Sequence, residues 1–469
     1  MATSMKRYGL VVIGGGPGGY VAAIRAHQMG MKVAVVEKDR VGGICLNWGC
    51  IPSKSLLRDA ELFRLVQQGK GLGFTCDGVR ADLKRVVARS RSVSSRLVKG
   101  IEALLKKSGI PIHPGTATVT APGKVSVQGK AGGKPELLET ERILVATGAA
   151  PISIPGLPID RERIVTSTEA MLLEEVPERV VIVGGGAIGV EFAYYFNAFG
   201  SRVTIIEMMP RIIPQEDPEV TDTLTRSLEK QGIEILTGSR VESAQILKKR
   251  EVDLQVKTPK ETRTISADRV LVAAGVRPNS AGMGLEKLGV RIEKGFIRVD
   301  GNYRTGAASI HAVGDVIGPP FLAHVASAEG IAAVEAMAGK PGKPINYNAV
   351  PRCVYCQPQV ASVGMTEEEA RKKGHTVRVG KFPFRANGRA LAAGNHEGFV
   401  KILVDAKYGE ILGAQVIGHE ASEQIAELCL AINLEATPEE ILNTVHAHPT
   451  LAEAVMEAAA AAVERAIHI

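Results

Sequence analysis

The residues with the most chemistry in this chain are two cysteines with four residues between them, in Gly42-Gly-Ile-Cys45-Leu-Asn-Trp48-Gly-Cys50-Ile-Pro52-Ser-Lys54. A close cysteine pair suits redox or metal chemistry. The spacing is awkward for structural zinc, which also needs a second ligand pair. Cys353 and Cys356 supply one on paper, but they sit roughly 300 residues away in a predicted strand, where positions three apart face opposite sides. Both read as buried thiols. The other reading is a redox pair at the start of a helix. Pro52 suits an early helical position, which puts Cys50 near a helix N-terminus, where the dipole stabilises a thiolate. Lys54 falls on the same face. It would set a cation beside the sulfur and any electron acceptor there, although a helical lysine is often merely solvated.

Something must position that segment, and an internal repeat shows what. Gly9-Leu-Val-Val-Ile-Gly14-Gly-Gly16-Pro-Gly-Gly19 leads through a small-residue helix to Val33-Ala-Val-Val-Glu37. Val180-Val-Ile-Val-Gly184-Gly-Gly186-Ala-Ile-Gly189 leads likewise to Val203-Thr-Ile-Ile-Glu207, with the three glycines of the turn and the closing Glu each 170 positions later. Both read as strand, Gly-x-Gly-x-x-Gly turn, helix and second strand ending in a carboxylate. The first glycine permits the tight turn, the second lets the backbone approach a pyrophosphate, and the third lets helix and strand pack closely. The helix N-terminus offers free N–H groups to the phosphates. Glu37 and Glu207 stand where a carboxylate accepts from a ribose hydroxyl. Glu207 would meet a 2′-phosphate as a like charge, which favours NAD over NADP; only Arg211, close by, argues the other way.

Arg142-Ile-Leu-Val-Ala-Thr147-Gly148 and Arg269-Val-Leu-Val-Ala-Ala-Gly275 form a second matched pair, read as buried strands completing each nucleotide domain. Ser309-Ile-His-Ala-Val-Gly314-Asp315 is a third such strand with an acid past its end. From about Tyr347, alternating segments such as Gln359–Gly364 and Phe399–Val404 predict an antiparallel sheet, followed by helices rich in Ala and Glu. The expected fold class is α/β: two Rossmann-like dinucleotide-binding domains plus a C-terminal α+β domain. The expected boundaries are 1–150, 151–277, 278–347 and 348–469.

Bulk properties bound the rest. A chain of 469 residues needs more than one core. The net charge of +7 is spread along the sequence without an aromatic-interleaved basic run, so nucleic acid is not the expected partner. No apolar run is long enough for a membrane span. Met1 to Lys6 is too short and polar for a signal peptide, and six cysteines do not make a secreted framework. The expectation is a soluble cytoplasmic protein, and a processed organellar form would read the same.

The cysteine motif, flanked by two dinucleotide folds, resembles the pyridine nucleotide–disulfide oxidoreductase family, over essentially Tyr8 to Ala460. The Ile-Pro-Ser-Lys ending is similar to the branch that oxidises dihydrolipoyl groups. The resemblance implies FAD on the first Gly-rich unit and NAD on the second. It makes Cys45 the interchange thiol and Cys50 the thiolate against the flavin, with Lys54 by the ring and paired to Glu191. Gly14, Gly16, Gly19, Glu37, Gly43, Ala117, Thr147, Gly148, Asp315 and Ala323 would line FAD. Gly184, Gly186, Gly189, Glu207, Val241 and Gly275 would touch NAD. Near the C-terminus, in His446-Ala-His448-Pro449-Thr450-Leu-Ala-Glu453, the resemblance makes His448 the acid–base group and Glu453 its orienting carboxylate. A dithiol must lose a proton to attack a disulfide, and imidazole is poised for that. His446 reads as structural, and no metal is implied. In this family the acid–base histidine, here His448, comes from the other subunit, so a homodimer is implied.

Two positions depart from the pattern. Ile44 stands where many relatives carry Thr, removing one hydroxyl near the flavin phosphates. Trp48, in the loop between the cysteines, reads as a packing residue. Glutathione reductases would want arginines where Glu207 stands, and mercuric reductases an extra C-terminal cysteine pair. The first strand starts near Tyr8, so the implied partner is a separate lipoylated chain, an acyltransferase or a glycine-cleavage carrier protein.

Overall fold

The computed structural model describes residues 6–247 and 251–469; the reading of Met1–Met5 as too polar for a signal peptide lies outside them. Two compact units are present. The first combines 6–55, 85–152 and 275–345, and the second combines 56–84, 153–274 and 346–469.

In the first unit the apolar run Leu10–Ile13 lies in the strand Lys6–Ile13, buried on both faces as parallel strands under helices are. It pairs in parallel with Val33–Glu37 on one side and with Glu136–Val145 on the other. The strand Ile310–Ala312 joins from far along the chain, with Ile310 beside Ile143 and Ala312 beside Val145. Helix Pro17–Gln28 packs on helix Ala323–Met337 through small residues; a Cβ on Gly330 would fall 2.5 Å from the Gly18 carbonyl oxygen.

The second unit repeats the plan. A parallel sheet runs in the order 234–236, 202–206, 179–183, 269–272, 164–165. Helix Ala187–Ala198 follows its Gly-rich turn, and a three-stranded antiparallel sheet, 240–246, 252–257 and 262–267, adjoins. The C-terminal part carries a five-stranded antiparallel sheet with the helices Ala421–Asn433 and Glu453–Ala462. Both nucleotide-type folds and the α+β domain are thus present.

One expectation changes. The alternating segment Phe399–Val404 suggests one face toward the core and one toward solvent, yet every residue of the strand Phe399–Asp405 is buried, as is every residue of its neighbour Ile411–Gly418. Val400, Ile402 and Val404 face the two C-terminal helices. The opposite face is covered too: Leu403 packs on Ala370, and Lys401 is enclosed with Asp217, both its carboxylate oxygens 3.2 Å away. The alternation is real, but its polar positions meet buried partners instead of water.

Candidate active site

The helix expected around Pro52 begins at Cys50 and runs to Gln67. Cys45 stands on a separate short helix, Gly43–Trp48, where the sequence suggested a loop. Gly49 breaks the two helices, with φ −150° and ψ −115°. Cys45 is half-buried and Cys50 exposed, and their side chains hydrogen-bond to each other. That bond, then burial, then the charge of Cys50 push the Cys45 thiol up; Lys54 pulls it down and Asp315 pushes it further up. Lys54 and Asp315 thus both act on Cys45, with opposite sign. Burial raises the Asp315 carboxyl itself.

Several supports of this segment had no signal in the sequence. The Asn47 amide donates to the carbonyls of Val41 at 3.1 Å and Gly43 at 2.9 Å. Arg91 donates to the Asn47 carbonyl at 2.6 Å and lies over the Trp48 ring. The Ser90 hydroxyl donates to the Pro52 carbonyl at 3.1 Å. Arg91 and Ser90 belong to the helix Leu83–Lys107. Glu329 accepts from the Gly314 N–H at 2.7 Å and so fixes the turn that carries Asp315. Trp48 is half-buried and donates to Asp39 at 3.1 Å.

The two Gly-rich turns have matching geometry. Gly14 and Gly184 have φ of +104° and +115°, and a Cβ on Gly19 or Gly189 would fall 1.8 or 1.9 Å from the carbonyl oxygen of that first glycine. The fold demands both positions. The second glycine is different: a Cβ on Gly186 would meet nothing within 4 Å, and one on Gly16 only the Gly43 Cα at 3.8 Å. Its lack of a side chain leaves open backbone at a helix N-cap, where a pyrophosphate fits. Gly43 packs behind Gly16, with φ +56°.

Glu37 and Glu207 also grip their own turns. Glu37 accepts from the N–H of Gly15 and of Asp39, both at 2.7 Å. Glu207 accepts from Gly185 at 2.6 Å and Met209 at 2.7 Å. Carboxylate oxygens carry two acceptor sites each, so capacity for a ribose hydroxyl remains. The donor sets fit FAD and NAD.

The remaining expected cofactor residues lie as follows. Thr147 donates to the Asn279 carbonyl at 2.7 Å, and Asn279 returns its amide to the Thr147 carbonyl at 3.0 Å. Gly148 has φ +66°, Ala117 is buried in the strand Thr116–Ala121, and Ala323 starts a helix. Val241 packs with Val183 and Ile206, the last residues of the second turn's two strands. Gly275 groups instead with the first unit, where its carbonyl accepts from Ile152 at 3.2 Å. Glu191 is buried and accepts from the Tyr355 N–H at 3.0 Å. Cys356 is buried, donating to the Pro358 carbonyl at 3.3 Å. It lies beyond the strand Arg352–Val354, and Cys353 is only half-buried, so the reading of two buried thiols in one strand is corrected.

His448 Nδ1 is 2.8 Å from Glu453 Oε1. A carboxylate only accepts, so Nδ1 carries the proton and Nε2 is left as the base. Glu453 Oε2 accepts from the Thr450 N–H at 2.8 Å. Burial would raise the Glu453 carboxyl, but the Thr450 N–H and His448 outweigh it and hold it below its usual range. The imidazole of His448 is 79% exposed, that of His446 only 5%. Both nitrogens of His446 are engaged, with Glu427 at 2.8 Å and the Thr444 carbonyl at 2.9 Å, which suits a structural role.

Comparison with known proteins agrees with this geometry. The family described as pyridine nucleotide-disulphide oxidoreductase matches residues 8–330, and its dimerisation domain matches 350–459. A dihydrolipoyl dehydrogenase of Chlorobaculum tepidum is 47% identical, covering 97% of each chain. One from Bacillus subtilis is 44% identical, over 98% of this chain and 99% of the relative. Among solved structures, LpdA of Mycobacterium tuberculosis is similar with a TM-score of 0.90 at 28% identity, covering 97% of this chain and 99% of that one. The HOCl-induced flavoprotein disulfide reductase RclA of Escherichia coli, in a Cu(II) complex, gives 0.88 at 28% identity, with the same coverage. No helix among the described residues is long and apolar enough to cross a membrane. The paired thiols, the doubled glycine turns and these full-length likenesses converge: the chain belongs to the pyridine nucleotide-disulphide oxidoreductase family.

Proposed function

We propose that this chain oxidises protein-bound dihydrolipoyl groups to the cyclic disulfide with NAD⁺ as final acceptor, the activity named for its relatives. The observation that carries this reading is the Cys45–Cys50 thiol pair at a helix start, within electrostatic reach of Lys54 and Asp315. FAD and NAD⁺, when bound, supply the two-electron carriers that restore the disulfide.

This chain's own residues do the thiol chemistry. His448 Nε2 takes a proton from one substrate thiol, and Glu453 stabilises the resulting imidazolium. The substrate thiolate attacks Cys45 Sγ, and the Cys45–Cys50 bond breaks with its electron pair on Cys50. The second substrate sulfur displaces Cys45, releasing the cyclic disulfide and leaving two enzyme thiols. Two electrons have left the substrate and entered the pair. A second copy of this chain contributes His448, so the working unit is a homodimer. The lipoyl group arrives on an acyltransferase or a glycine-cleavage carrier protein, in the cytoplasm.

Cys45→Ser and Cys50→Ser should each abolish dihydrolipoamide turnover while sparing some NADH-to-dye electron transfer. Full lipoamide activity in either variant would overturn the scheme.

A further inference from the structure

Asn387 lies far in sequence from the histidine loop and is 4% exposed. It caps the helix Gly388–Ala392, its Oδ1 accepting from the Ala390 N–H at 2.9 Å. Phe384 and Ala390, on either side of it, are buried in the C-terminal core. Its other arm leaves that core: Nδ2 donates to the Thr450 carbonyl at 3.0 Å. Thr450 in turn donates its N–H to Glu453 Oε2 at 2.8 Å and its hydroxyl to the Ala447 carbonyl at 2.7 Å. Glu453 Oε1 meets His448 Nδ1 at 2.8 Å. An unbroken relay thus runs from a rigid, buried amide to an exposed imidazole.

We propose that Asn387 is a positioning residue for the proton-transfer step, fixing His448 through Thr450 and Glu453. The proposal rests on the reading of His448 as the acid–base group. A helix cap needs only Oδ1, and Asp or Ser would serve as well. The amide is the part that the histidine loop requires, because a carbonyl oxygen can pair only with a donor. His446, tied to Glu427, holds the other end of the loop. His446 acts on Glu453 through its charge, whereas Asn387 holds the backbone of Thr450, which hydrogen-bonds Glu453 directly.

Asn387→Asp keeps the cap acceptor and replaces the donor with an oxygen; Asn387→Ser keeps a cap and is too short to reach Thr450. With the dimeric, flavin-loaded enzyme, each should lower kcat for dihydrolipoamide about ten- to a hundredfold. KM for NAD⁺ and NADH-to-dye transfer should be unchanged. The deficit should shrink as pH rises and the dithiol ionises without help, a trend that a merely structural defect would not produce. Against a His448→Gln background, Asn387→Asp should cost nothing further, because the two act on one step. If His448→Gln cripples turnover while both Asn387 variants stay within twofold of wild type, or if their deficit is independent of pH, the positioning role is overturned and the histidine reading stands. If His448→Gln is itself active, that reading falls and this proposal with it.

Discussion

The second glycine of the turn at Gly184–Gly189 gives the sharpest separation between folding and binding. Gly186 has φ −72° and ψ −178°, extended backbone that alanine adopts freely. A methyl there meets nothing within 4 Å, so Gly186→Ala should cost the fold only the weaker helix cap, about 0.5–1 kcal/mol. On the proposed assignment of this turn to NAD, the same methyl would stand where the pyrophosphate approaches the backbone N–H groups. Losing one hydrogen bond to a charged group removes about 1.5–3 kcal/mol, which raises KM for NAD⁺ roughly ten- to a hundredfold. Gly189→Ala is the contrast, since its methyl would sit 1.9 Å from the Gly184 carbonyl oxygen and helix and strand would have to part. Steady-state rates with NAD⁺ varied measure KM, and thermal unfolding of the flavin-loaded protein measures stability. Gly186→Ala should unfold within about 2 °C of wild type and bind NAD⁺ poorly, whereas Gly189→Ala should be destabilised. A stable Gly186→Ala protein with an unchanged KM for NAD⁺ would refute the assignment of this turn to the pyrophosphate.

Two further perturbations address stability. Lys401 is 4% exposed and holds Asp217, itself 1% exposed, with Glu367 at 2.8 Å. Lys401→Met strands that buried charge and should cost about 3–5 kcal/mol in urea unfolding, and unchanged stability would show that the cluster carries no net electrostatic weight. His311 is 3% exposed, and neither ring nitrogen has a hydrogen-bond partner among the described residues. Burial, then Arg304 and Arg142, lower its pKa from 6.5 to about 4, with Asp300 opposing. Because the unfolded chain takes up this proton below 6.5 and the folded chain only near 4, stability should fall as pH drops through that window, by about 2 kcal/mol at pH 5. His311→Leu should flatten the unfolding midpoint between pH 7 and 5; an equally steep variant would assign the acid sensitivity elsewhere.

The fold was legible where a requirement is local. Gly14, Gly19, Gly184 and Gly189 announce themselves because each needs either a positive φ or contact with a carbonyl a few residues away. The repeat then locates both carboxylates, and Pro52 locates the helix start at Cys50. What stayed hidden are bonds between residues with no periodic relation: Asn47 with Arg91, Gly314 with Glu329, Thr147 with Asn279. The doubly buried strand Phe399–Asp405 kept its polar alternation, and only the elements laid over it reveal that Lys401 faces Asp217 instead of water. The carboxylates' grip on Gly15 and Gly185 was equally invisible, since the same spacing serves a ribose contact.

The late arrival of Ile310–Ala312 in the first sheet has a consequence during synthesis. Ile143, Leu144 and Val145 emerge from the ribosome with one flank of their backbone unanswered, and the strand that answers it follows roughly 165 residues later, on the order of 10–30 s at about 5–20 residues per second. For that interval the nascent chain carries a bare apolar sheet margin, the kind of edge that invites wrong pairings. Slow codons or chaperone shortage between these points should therefore raise aggregation more than the same delays placed after Ala312.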